Sequence, residues 1–238
     1  MEATDATWTI RSVLKAAWEK QKGAKAKILS AGIVYALACL ILELGLREIL
    51  PTLGIAEFVT QWNNYEFFVK VLMSPLLHGW ARFDVVTFLM APLLFGWLLL
   101  GISCSAGTPI SIKSIYKPFS LFLILACVNL LIASLTLVGT LLLILPGIYL
   151  ALSYAFAPVL VIEKNMGVWE SMEMSRKTVT TYWWRYLSLT LILVLLNTVA
   201  MMVIVPLIWS IPITLIAIGE VYNASFRDHE QLAASLPT

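Results

Sequence analysis

The chain has 238 residues, 60% of them hydrophobic and 13% charged, with a formal net charge of +2. A soluble domain carries a charged fraction nearer ~25%, so the composition excludes an ordinary water-soluble globule and points to lipid as the solvent. The small net charge and the absence of a basic–aromatic platform exclude nucleic acid as a partner.

Residues 1–27 are polar and basic, too long a stretch for the charged leader of a cleavable signal. Within them Ile10, Val13, Leu14, Ala17, Trp18 and Gln21 keep helical spacing, while Arg11, Lys15 and Lys22 take another face. This predicts an amphipathic helix, suited either to an anionic membrane surface or to bracing the spans.

A helix crossing the ~30 Å hydrocarbon layer needs about 20 apolar residues. Six runs qualify: 28–46, 85–104, 118–138, 140–162, 186–205 and 207–223. The expected fold class is therefore all-α: a polytopic bundle of six spans over residues 28–223, with amphipathic interfacial helices and a tail at 224–238.

Glu43 lies near the end of the first span, within reach of the headgroups. The following loop, 47–84, is rich in aromatic residues, and Ile55, Phe58, Val59 and Trp62 keep helical spacing, as expected of short helices on or dipping into the outer leaflet. His78, Arg82 and Asp84 in this loop match no catalytic motif, and no HExxH or phosphate-binding glycine loop is present. The chain is accordingly expected to be no enzyme and to carry no catalytic residue, cofactor or metal.

In the third span Pro118 suits the first turn and Asn129 sits near mid-membrane. A turn at Gly139–Thr140 is expected to fold the third and fourth spans into a tight hairpin. Pro146–Gly147 then predicts a kink one or two turns inside the fourth span, just before Tyr149, Ser153 and Tyr154. In the loop 163–185, Val168, Met172, Ser175, Val179, Tyr182 and Tyr186 make a second helical stripe, with Glu173 placed to pair with Lys177.

From Tyr186 to Gly219 there is no charge in 34 residues, roughly 51 Å of helix and barely enough for two spans. Pro206, Ser210 and Pro212 predict a turn near the middle, with Trp209 in an interfacial belt, a kinked or re-entrant segment being the alternative. Asn197 lies about ten residues into the fifth span.

Six spans with both ends inside place thirteen of the sixteen Lys and Arg residues on the cytosolic side, leaving Arg47, Lys70 and Arg82 outside. Cys39, Cys104 and Cys127 lack metal or disulfide spacing and are expected to be packing residues.

Polar groups within spans are the default functional candidates in lipid. Here they are Glu43, Asn129, Asn197, Tyr149 and Tyr154, together with the Pro146–Gly147 kink. A candidate cytosolic surface comprises Glu163, Glu170, Ser175, Arg176 and Lys177.

The stretch from Leu145 reads LPGIYLALSYAFAPVLVIEKN, followed by GVWESMEMSRKT. It resembles the YciC-like inner-membrane proteins of bacteria, a family without a settled activity. It is also similar to the membrane domain that precedes the catalytic domain of some glycerophosphodiester phosphodiesterases. The matching positions are Pro146, Gly147, Ala157, Pro158, Glu163, Glu170, Ser175 and Arg176. The resemblance implies a bacterial inner membrane and carries no phosphodiesterase chemistry, because that catalytic domain has no counterpart here.

The expected function is that of a non-enzymatic membrane bundle, either channel- or transporter-like or serving envelope maintenance. The alternatives are a lipid-binding or lipid-moving protein and an accessory subunit that docks a cytosolic partner on the 163–185 loop. Membrane lipids are the expected partners, and a homo-oligomer is left open. A continuous polar cavity would favour transport; an apolar groove open to the bilayer would favour lipid binding.

Overall fold

A computed structural model describes residues 8–52, 85–109, 111–203 and 205–227. Among these the chain is helical and contains no strand. The helices are α1 (Ile10–Thr52), α2 (Val85–Ser105), α3 (Phe122–Leu142), α4 (Ile144–Ser153), α5 (Ala157–Lys164), α6 (Val168–Thr181), α7 (Trp183–Val203) and α8 (Leu207–Tyr222). A 3-10 segment, Ile112–Leu121, leads into α3, and a π turn, Asn223–Arg227, follows α8. Six helical stretches are long and apolar enough to cross a bilayer. This is a multi-pass membrane protein of the all-α class.

The chain divides into two compact units, one of residues 1–32 with 92–238 and the other of residues 33–91. In the second unit, the described part of α1 exposes Ile33, Leu37, Leu40, Ile41 and Leu44, an apolar surface suited to lipid. The expected loop at 47–84 begins as helix, since α1 continues to Thr52; residues 53–84 lie outside the described residues.

In the first unit α1 opens with a reciprocal cap. Thr9 N–H donates to Ser12 Oγ at 3.0 Å, and Ser12 N–H donates to Thr9 Oγ1 at 3.2 Å. No break separates the basic segment from the first span: one helix of 43 residues runs through both. Val13, Ala17, Gln21, Ala24, Ile28 and Ala31 are all buried, spaced three or four residues apart along one face. That face joins a core with Phe156, Tyr186, Leu189, Ile216 and Tyr222, and Trp8 packs edge-on against Tyr186 with ring centroids 5.4 Å apart. The basic segment thus braces the bundle with its apolar face and does not lie apart from it. Lys25 is carried inward by the same helix, and its ammonium lies 3.9 Å from the centroid of Trp209. Trp209 therefore packs beside a lysine of the basic segment.

The hairpin of α3 and α4 turns at Leu143, whose extended backbone (φ −161°, ψ 144°) separates the two helices. Gly139 and Thr140 are helical, not the turn. Their use is steric: a Cβ on Gly139 would come within 3.2 Å of the Gly147 nitrogen, so the two glycines let the backbones approach. Pro146 consequently falls in the first turn of α4, where no intrahelical N–H is needed, and produces no internal kink. Pro118 lies within the 3-10 segment and precedes α3.

The interruption in the fourth span comes instead between Ser153 and Ala157, ahead of Pro158. Ala157 N–H turns to Tyr154 O and Ala155 N–H to Leu152 O, so Ser153 O and Phe156 N–H lose their helical partners. Ser175 of α6 replaces both. Its hydroxyl donates to Ser153 O at 2.7 Å and accepts from Phe156 N–H at 3.3 Å. Asn165, in the left-handed region at φ 52°, then ends α5 and turns the chain into α6. The buried stripe of α6, with Ser171, Met172, Ser175 and Val179, faces the bundle; Met172 packs with Leu125, Val128, Ala157 and Val161.

Between α7 and α8 the uncharged run turns at Val205–Pro206, and α8 carries Pro212 without ending. α2 and α8 meet through glycine: a Cβ on Gly219 would lie 2.7 Å from Gly101 O and 2.8 Å from the Ile102 Cα.

Candidate functional site

The intramembrane candidates are not brought together. Asn197 on α7 donates to Leu193 O at 2.7 Å and to Thr214 Oγ1 of α8 at 2.6 Å, a cross-helix bond of about 1 kcal/mol or less. Asn129 keeps its buried Nδ2 without a hydrogen-bond partner among the described residues. Tyr149 shares a 2.8 Å hydrogen bond with Thr180 and packs near Trp183, whereas Tyr154 packs against the Met172 cluster. Gly147 is spent on the hairpin contact. The Glu43 side chain lies outside the described residues.

The candidate surface also divides. Ser175 is fully buried and structural, so it belongs to no exposed face. Glu170 is exposed. Glu173 holds Arg176 at 2.8 Å and Lys177 at 3.3 Å, and the Arg176 hydrogen bonds keep the Glu173 carboxyl below its usual range while raising the guanidinium. Glu163 faces elsewhere. It grips Arg227 through two guanidinium nitrogens, with contacts from 2.6 to 3.2 Å.

That last pair belongs to a polar end of the first unit which local spacing does not reveal. It starts from the close of α2. Gly107, at φ +70°, lets Thr108 N–H reach Ser103 O and Gly107 N–H reach Cys104 O, a Schellman closure. The remaining end carbonyl, Ser105 O, accepts from Lys20 Nζ of α1 at 2.6 Å, a cation placed at the negative end of the helix dipole. Lys20 also pairs with Glu220 at 2.6 Å, which ties α8 to α1 within the unit. Asn223 completes the group, donating to Ser105 Oγ at 2.5 Å and to Ile102 O at 3.3 Å.

Beside it Lys164 Nζ donates to Phe226 O at 3.0 Å, tying the π turn to α5. Here a recess of about 360 Å³ opens, lined by Leu99, Ser103, Ser114, Lys117, Ile162, Glu163, Lys164 and Arg227. Sequence reading grouped Lys117, Lys164 and Arg227 only by side, since 110 positions separate the first from the last. A Gly-Thr-Pro run after an apolar span was the one signal for the α2 closure.

A second recess, of about 380 Å³, lies between α7 and α8. Leu193, Val194, Met201, Leu207 and Ile218 line it with Thr190, Asn197, Thr198 and Thr214. Its lining is mainly apolar, and the Asn197 amide is satisfied within it by Thr214. Among the described residues no group of three or more His, Cys, Asp or Glu is placed to hold a metal ion.

No protein-family model matches the chain, and no curated protein or solved structure matches it either.

Proposed function

We propose that this chain is a non-enzymatic lipid-binding protein of a bacterial inner membrane, related to the YciC-like proteins, with its basic end in the cytosol. The observation that carries the lipid reading is the α7–α8 groove. It lies on two membrane-spanning stretches, its walls are apolar, and its amide bonds to a neighbouring hydroxyl. Such a groove suits one acyl chain of a bilayer lipid; a solute path needs polar groups left over to replace water.

The orientation draws on the charge asymmetry. Lys20, Lys117, Lys164 and Arg227 come from four segments and meet around the close of α2, the side on which positive charge is retained during insertion.

The test is lipid retention by the full chain in nanodiscs, read by native mass spectrometry. Val194 and Met201 are 56% and 72% exposed, so Val194→Trp or Met201→Trp fills the groove without disturbing the core. Fewer phospholipids retained per chain are expected, with unchanged melting. An unchanged lipid count overturns the reading, as does solute flux in proteoliposomes above that of empty vesicles.

A further inference from the structure

The recess at the basic end is a site of a different kind from the α7–α8 groove. Among the described residues it is lined by three cations, Lys117, Lys164 and Arg227, and by one carboxylate, Glu163. Glu163 leaves part of Arg227 unused: it accepts from Nε and Nη2, while Nη1 has no acceptor among the described residues. A guanidinium braced on one edge by a carboxylate presents its other edge in a fixed direction, the geometry that suits an oxyanion. Lys117 is exposed and has no ion pair among the described residues. The hydroxyls of Ser103 and Ser114, which also line the recess, have no hydrogen-bond partner there either. Donors of Lys117, Arg227, Ser103 and Ser114 that have no acceptor among the described residues thus converge on one opening, which Lys164 also lines.

The position of Lys117 adds a second observation. The 3-10 segment that carries it buries Ile115 and Pro118 but exposes Ile112, Tyr116 and Phe119, with exposed Lys113 and Lys117 interleaved. Aromatic and aliphatic side chains alternating with lysines are what a segment seated at the headgroup level displays. A cavity of about 360 Å³ at that level lies at the small end of the roughly 300–1,000 Å³ range of ligand sites, room for one headgroup and not for a macromolecule.

We propose that this recess binds a phosphate group, held by Lys117 and the free edge of Arg227, with Ser103 and Ser114 as neutral donors. Glu163 is a positioning residue that aims Arg227 and limits the site to a single anion. The bearer of the phosphate is either an anionic phospholipid of the adjoining leaflet or a soluble phosphate, and the two are separated by experiment. The proposal stands independently of the acyl groove: neither substitution at Val194 nor at Met201 touches this recess.

The full chain is reconstituted in nanodiscs of mixed phosphatidylcholine and phosphatidylglycerol, and retained phosphatidylglycerol is counted by native mass spectrometry. A preference for the anionic lipid is expected. Lys117→Ala should weaken it about fivefold, the share of one lysine near a charged surface. Lys117→Arg should restore it. Lys113→Ala, on the same segment but outside the recess, should leave it close to the starting value. Equal losses from Lys113→Ala and Lys117→Ala overturn the proposal, because the attraction is then general surface charge. In a second arm, melting is followed in phosphatidylcholine nanodiscs with inorganic phosphate, using chloride at equal ionic strength as reference. A phosphate-specific rise that Lys117→Ala removes supports a soluble ligand. An anionic-lipid preference without that rise supports the headgroup. Neither a lipid preference nor a phosphate-specific rise overturns the site.

Discussion

Ser175 performs one task at the residue scale that no other side chain on α6 performs. It supplies both halves of the hydrogen bonding that the Ser153–Ala157 interruption removes. Ser171, equally buried, donates only to Val168 O of its own helix. Ser175→Ala should therefore cost about 1–3 kcal/mol by leaving buried backbone groups unpaired, and Ser171→Ala distinctly less. Thermal melting of the two variants in detergent checks this, and equal losses would contradict it. The helical stripe through Val168, Met172, Ser175 and Val179 was legible in the sequence, although Ser175 also reads there as part of a cytosolic surface, which its burial rules out. The role of Ser175 was not legible, because the backbone groups it serves lie 19 and 22 positions away and are orphaned only by the fold. Glu173 with Lys177 was legible for the opposite reason: four residues along a helix determine the contact.

At the scale of elements, hydropathy carried most of the information, and the six spans stand where apolar runs stand. Proline and glycine were legible as punctuation but not as a particular kind of punctuation. Pro146 reads as a kink only if α4 begins a full turn or more before it, and the helix begins just two residues earlier, at Ile144. Gly139 reads as a turn only if α3 stops there, and the helix runs on to Leu142. In both cases the glycine is used for backbone contact between helices, which a neighbour decides. The α2–α8 seam gives a direct test. Gly219→Ala places a methyl against the backbone of Gly101 and Ile102, which cannot swing aside as a side chain would. Overpacking of this kind costs typically about 1–3 kcal/mol. Gly23, by contrast, lies within α1 with nothing inside 4 Å of an added Cβ. Gly23→Ala should stabilise by roughly 0.5–1 kcal/mol through helix propensity alone. Opposite shifts in melting temperature are expected from the two glycine-to-alanine changes; shifts of the same sign would show that the seam is not held by close approach.

For the whole molecule, charge asymmetry was the strongest sequence signal, and its proposed consequence is sidedness. In a background lacking Cys39, Cys104 and Cys127, Lys113→Cys and Lys177→Cys should resist an impermeant thiol reagent in intact cells, while Asn64→Cys should be labelled. The reverse pattern would invert the topology. What charge counting cannot reach is which cation meets which partner. Lys20 and Glu220 are 200 positions apart, and Arg227 and Glu163 are 64 apart; only the folded bundle joins them.

The same separation bears on how the protein is made. At ~5–20 residues per second, the 200 residues between Lys20 and Glu220 take roughly 10–40 s to synthesise. For most of that interval the face of α1 formed by Val13, Ala17, Ala24 and Ile28 is already made, while its partners on α8 do not yet exist. A basic helix with an apolar stripe has one nearby refuge in the meantime, the anionic surface of the membrane into which the spans are being threaded. On the proposed lipid-facing reading, surface attachment and bracing would be successive stages for one helix: a waiting position during biogenesis, followed by a place in the core once the last span arrives.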